Sequence, residues 1–136
     1  MSETNKAVAK RFLEAVGSGD IDTIAALATK DIAVITAGQS SLSGTRGYDT
    51  LLLLGATFPK ITTTGGLKFR YINLTAEDDR VAVEAKGTSV MLNGKDYNNE
   101  YHFLLFIRDG KVYKMMEYLD TKLADDVLAP YFQGIA

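Results

Sequence analysis

The chain has 136 residues, 46% hydrophobic and 24% charged, which suits one soluble domain built on a single hydrophobic core. Fifteen basic against seventeen acidic residues leave a net charge of -2 with no basic block, so nucleic acid has no electrostatic footprint here. Without cysteine there is no disulfide frame, thiol nucleophile or thiolate metal site, and the polar start MSETNKAV and the short longest apolar run, residues 51–54, argue for a cytoplasmic protein with no membrane partner.

Residues 5–16 predict an amphipathic helix, because Val8, Phe12, Ala15 and Val16 recur at helical spacing and Gly17 follows them. Asp20 reads as the N-cap of a second helix with Ile21, Ile24, Leu27 and Ala28 inward, and the short link makes the two a hairpin. Residues 31–36, DIAVIT, predict a strand, GQSSLSGTRG a polar loop, and residues 48–58 a third helix stopped by Pro59. From Leu67 the pattern alternates with period two, and Asn93-Gly94 and Asp109-Gly110 are strong hairpin signals. Asp120 or Thr121 then caps a short last helix running to about Pro130. Helices first and four antiparallel strands later predict an α+β domain spanning 1–136, its helices on one face of a curved sheet.

Two-residue turns at both hairpin signals set a register. Arg108 pairs with Lys111, which places His102, the chain's only histidine, opposite Glu117. Leu92 then pairs with Lys95, which places Ala85 opposite His102 and Gly87 opposite Glu100. One face would then carry Ala85, Gly87, Glu100, His102, Leu104, Tyr113, Met115 and Glu117, mixing small, aromatic and polar groups as a ligand cavity does. The opposite face would hold Tyr101, Phe103, Leu105, Ile107, Val112, Met116 and Tyr118, and covering it calls for a homodimer.

The segments FLEAVGSGDIDTIAALATKDIAVI, GTRGYDTLL and YHFLLFIRDGKVYKMMEYLDT, together with the order of elements, resemble the nuclear-transport-factor-2-like superfamily. The closer resemblance is to its SnoaL-like polyketide-cyclase group, and it covers almost the whole chain. It implies a cone-shaped, cystatin-like α-β roll with a deep pocket between sheet and helices, and a dimer. It does not imply one chemistry, since this scaffold hosts isomerases, cyclases, dehydratases, epoxide hydrolases and non-catalytic binders. Against the ketosteroid isomerases, the first-helix tyrosine corresponds to Phe12, the general-base aspartate to Thr36 and the oxyanion-stabilising aspartate to His102. Against the limonene epoxide hydrolases, the Arg-x-Asp pair is replaced by Ala85-Lys86-Gly87, and Val34 and Thr36 stand where a tyrosine and an asparagine hold the water. Only the last-strand carboxylate keeps an equivalent, as Glu117.

His102 and Glu117 are therefore the candidate acid–base pair, a carboxylate orienting an imidazole in an apolar setting. The same two residues also suit a structural hydrogen bond that closes the pocket floor. Glu100 would join them or line the mouth, and Tyr48, Tyr71 and Tyr113 are candidate donors to a carbonyl or phenol. One histidine with scattered carboxylates makes no metal site, and no cofactor is called for. The expected ligand is a small, apolar, ring-containing metabolite. The expected role is cofactor-independent isomerisation, cyclisation or dehydration, or else that of a non-catalytic carrier, sensor or dimerising module.

Overall fold

The computed structural model describes residues 2–133. The chain runs α1 (Ser2–Ser18), α2 (Ile21–Leu27), β1 (Ala28–Thr36), β2 (Gly44–Arg46), α3 (Tyr48–Ile61), β3 (Lys68–Glu77), β4 (Arg80–Thr88), β5 (Asn99–Arg108) and β6 (Lys111–Leu119). A single helical turn, α4 (Thr121–Leu123), continues into a π-helical turn (Ala124–Leu128) and a 3-10 turn (Ala129–Tyr131). All six strands join one sheet in the order β2-β1-β6-β5-β4-β3, antiparallel except where β1 lies beside β6. This is the expected α+β roll.

Phe12 and Leu13 of α1 and Ile24 of α2 are fully buried with Val81, Val83, Phe103, Leu105 and Val112 of the sheet in one core. Each such burial stabilises the fold by roughly 1.5–3 kcal/mol. A Cβ at Gly55 would lie 2.7 Å from Ile24 Cδ1, so the bare backbone lets α3 close on α2. A second cluster gathers Ile61, Leu67, Met91, Tyr97, Leu128 and Phe132. Among the described residues no helix is long and apolar enough to cross a membrane.

Local signals held in part. Asp20 caps α2, accepting from Thr23 N at 3.2 Å, and Asp120 caps α4, accepting from Leu123 N at 3.2 Å. Helix α3 runs past Pro59 to Ile61, because a proline in the last turn removes one bond and Thr62 Oγ1 donates to the Phe58 carbonyl at 2.9 Å. The loop GQSSLSGTRG contains a strand after all. Residues Gly44–Arg46 form β2 at the sheet edge, too short for any periodicity to show.

The register corrects the sequence reading at β5. In the loop at Asn93-Gly94, Met91 N donates to Lys95 O at 2.8 Å, so residues 92–94 form a three-residue turn rather than a two-residue one. Gly94, at φ 86°, supplies the left-handed position that this turn requires. Ala85 therefore pairs with Tyr101 and Val83 with Phe103. The Asp109-Gly110 turn is as expected, with Arg108 opposite Lys111, but a bulge then makes Phe106 the partner of Lys114. Beyond it, His102 lies opposite Tyr118 and Glu117 opposite Phe103. Both one-residue slips displace β5 against its neighbours. Strand β4 keeps its expected face, and β6 keeps it from Met115 onward. Before the bulge, Val112, expected outside, is fully buried and Tyr113, expected inside, turns out. Strand β5 turns over and buries Tyr101, Phe103, Leu105 and Ile107.

Candidate functional site

The parallel register of β1 and β6 sets Thr36 beside Glu117, and Thr36 Oγ1 donates to Glu117 Oε1 at 3.1 Å. Strand β2 carries Arg46 opposite Val34, and Arg46 and Glu117 both face one cavity. Its walls are otherwise mostly apolar: Leu54 and Phe58 come from α3, Leu119 from β6, and Leu128 and Phe132 from the C-terminal turns. The rings of Phe58 and Phe132 meet edge to face at 5.5 Å. The cavity has a volume of about 90 Å³ and opens to solvent at its mouth. A small organic molecule suits this space.

Tyr97 and Tyr101 bring hydroxyl-bearing rings to the wall. Burial pushes the Tyr97 hydroxyl up to about 12, against the hydrogen bonds it accepts, and burial also holds the Tyr101 hydroxyl well above its ordinary value. Both are neutral phenols at physiological pH. Asn99 is the structural key behind them. Its Nδ2 donates to Tyr97 Oη at 3.0 Å and to Asp120 O at 3.1 Å, and its Oδ1 accepts from Glu100 N at 2.7 Å and Asp120 N at 3.0 Å.

Glu117 is the chemically distinctive group. Burial in the apolar cavity raises its pKa, while the Thr36 hydrogen bond and the Arg46 charge pull the other way. Over the cavity, Ser40 and Leu42 face the π-helical turn. Asp125 ties the two, accepting from Ser40 Oγ at 2.7 Å, Ser41 N at 2.9 Å and Ser41 Oγ at 2.8 Å. Those bonds hold its carboxyl below the usual aspartate value.

Of the residues singled out from sequence, Glu117 alone lines this cavity. His102 stands exposed on the outer face between Glu84 and Tyr118, so the expected His102–Glu117 pair does not form; the β6 bulge separates them. Glu100 and Leu104 turn outward with it, Glu100 lying 3.6 Å from Lys86. Tyr113, adjoining the bulge, donates to Asp79 Oδ2 at 2.6 Å, away from the cavity. Phe12 and Met115 belong to the filled core. Ala85 and Gly87 face inward, but aromatic rings occupy the room they leave, since a Cβ at Gly87 would lie 2.8 Å from the Tyr101 ring. Tyr71 packs on α1 with its hydroxyl 3.4 Å from Lys10 O, and Tyr48 sits under Lys30 in a shallow surface depression. Sequence reasoning missed Arg46, Tyr97, Tyr101 and the C-terminal wall as site residues. Among the described residues no three His, Cys, Asp or Glu side chains are grouped so that they could hold a metal ion.

The fold has many counterparts among solved structures. A nuclear-transport-factor-2-like protein from Burkholderia xenovorans superposes with a TM-score of 0.71 at 26% identity, over 90% of this chain and 94% of that one. PrhC from Penicillium brasilianum gives a TM-score of 0.82 at 20% identity, over 96% and 89%. An LEH-like epoxide hydrolase of M. tuberculosis gives 0.71 at 16%, over 98% and 90%. No curated protein sequence matches the chain. The SnoaL-like domain family matches residues 9–115, most of the chain, and the protein belongs to that family, with the nuclear-transport-factor-2-like fold.

Proposed function

We propose that the cavity around Glu117 binds a small, largely apolar, ring-containing metabolite, and that Glu117 exchanges a proton with it in cofactor-independent isomerase, cyclase or dehydratase chemistry. The observation that carries this reading is a carboxyl group in an apolar cavity with its pKa raised by burial and Thr36 as its hydrogen-bonding neighbour. Raising a carboxyl toward neutrality makes its conjugate base stronger and lets it act as acid or base near working pH. Tyr97, a neutral phenol on the same wall, would donate to a carbonyl oxygen as charge develops there.

A non-catalytic carrier or sensor is the second reading. It is favoured by the outward position of His102, which leaves Glu117 as the one carboxyl on the cavity wall among the described residues. The test is mass spectrometry of small molecules extracted from the purified protein, followed by incubation of each with wild type and Glu117→Gln. Conversion by wild type, lowered roughly a hundredfold or more in Glu117→Gln, supports catalysis. Equal turnover by both removes Glu117 from the chemistry, and return of the molecule unchanged supports the carrier.

Homodimerisation through the outer sheet face belongs to the same proposal, with a revised residue set. Tyr118 is 49% and Ile72 39% exposed there, beside half-buried Leu104, Phe106 and Met116. Sedimentation equilibrium at micromolar concentration reads the mass directly, and a monomer throughout would refute it.

A further inference from the structure

Arg46 is the one permanently positive group on the described cavity wall, and among the described residues its side chain has no hydrogen-bonding or ion-pair partner. Its Nε–H is buried with no hydrogen-bond acceptor among the described residues. Glu117 feels it only as a charge across the space, since no hydrogen bond joins the two. Guanidinium stays protonated at every physiological pH, so the cavity cannot neutralise it by losing a proton. A buried donor without an acceptor is costly unless something else completes it. No other group in reach accepts from that Nε–H. Tyr97 and Tyr101 are neutral phenols, and Glu117, whose pKa burial raises, bonds Thr36 instead. Below the Glu117 titration the wall carries one net positive charge among mostly apolar side chains.

Taking the ligand cavity of the proposed function as given, we infer that its occupant is a small carboxylic acid whose carboxylate sits on the Arg46 guanidinium and whose apolar body fills the space between Leu54, Phe58, Leu128 and Phe132. A planar carboxylate accepts two parallel N–H bonds from an arginine fork, and it meets the orphaned donor and the charge together. A neutral amide or ketone accepts but leaves the charge. Glu117 then stands as the proton-exchanging group facing a different atom of the bound acid. Ionised Glu117 repels the incoming carboxylate, so binding weakens as pH rises through the Glu117 titration. The other titratable groups facing it, Tyr97 and Tyr101, stay neutral over that range, and Arg46 stays charged.

The experiment is an NMR titration of the full chain with cyclohexanecarboxylate and, separately, with its neutral isostere cyclohexanecarboxamide, in wild type, Arg46→Met and Arg46→Lys. Wild type is expected to bind the acid roughly tenfold or more tighter than the amide. Arg46→Met brings the acid down to the level of the amide, and the amide, which loses only an accepted hydrogen bond, still shifts the cavity methyls and so shows the cavity intact. Arg46→Lys keeps part of the preference through its charge. Equal affinities in wild type, or an acid preference that survives in Arg46→Met, overturn the inference while leaving the cavity reading in place. Failure of both compounds to shift the cavity methyls of Leu54, Leu119 and Leu128 overturns both.

Discussion

Replacing Asn99 with alanine should unlock the floor of the site. The residue is 2% exposed and makes four hydrogen bonds, so all the capacity of its amide is in use. Truncation removes four hydrogen bonds and leaves the Asp120 and Glu100 amides without their acceptor, while the Asp120 carbonyl keeps Ala124 N and the Tyr97 oxygen keeps the Tyr101 hydroxyl. Each lost bond costs about 1 kcal/mol net, more where water cannot replace it, for a total of about 3–5 kcal/mol. Unfolding entropy of roughly 2.1 cal/mol/K per residue gives a chain of 136 residues about 0.29 kcal/mol/K. The melting temperature should therefore fall by about 10–17 °C in a calorimetric scan. The isosteric Asn99→Asp separates bonding from volume. Its carboxylate oxygen would face the Asp120 carbonyl, so it should be unstable at neutral pH and regain stability as acid protonates it and restores one donor. A melting temperature for Asn99→Ala within about 3 °C of wild type would refute the reasoning, because no orphaned buried group costs so little.

The remaining predictions concern the carboxylates and one tight backbone contact. Burial raises the Glu117 pKa above its unfolded value, so the folded state binds this proton more tightly and stability falls as pH climbs from the unfolded value through the folded one. Glu117→Gln should consequently gain on wild type in melting temperature between pH 4 and pH 7.5, and a loss over that range would contradict the burial argument. Gly66 has φ 106° and its missing Cβ would overlap the Gly17 carbonyl oxygen, so Gly66→Ala should cost about 3 kcal/mol or more, roughly 10 °C in melting temperature. Asp125→Ala releases Ser40 and Ser41, and hydrogen exchange at the Ser41 amide should rise while exchange at Val83, in the central sheet, does not change. Acidification that protonates Asp125 should reproduce that release, since its carboxyl is held below its ordinary value by those bonds.

Much of the fold was legible because its signals are local. Asp20 and Asp120 cap helices through their own side chains, and Asp109-Gly110 turns with both residues at positive φ, 52° and 76°. Register was harder, since β5 is apolar on both faces and a one-residue slip inverts every side chain. One discriminating signal was present. The face first assigned to the cavity would have taken Glu100, His102 and Arg108 out of water, whereas the alternate set Tyr101, Phe103, Leu105 and Ile107 carries no charge. Counting ionisable groups on each face would have turned β5 over and removed His102 from the site. Glu117 survived because the β6 bulge lies before Met115, so that with the three-residue loop it turned over β5 and the first residues of β6 but not the rest of β6. Arg46 and Phe132 had no local signature at all. Their place in the cavity depends on a three-residue edge strand and on the path of the C-terminal turns, which long-range packing decides.

The most direct test of the Glu117 site is a site-resolved titration of its carboxyl carbon by 13C NMR, in wild type and in Arg46→Met. A midpoint above the ordinary glutamate value of about 4.3 is predicted for wild type, with a further rise when the Arg46 charge is removed. A midpoint at or below that value, or one indifferent to Arg46, would contradict an apolar cavity that holds Glu117 ready to exchange a proton.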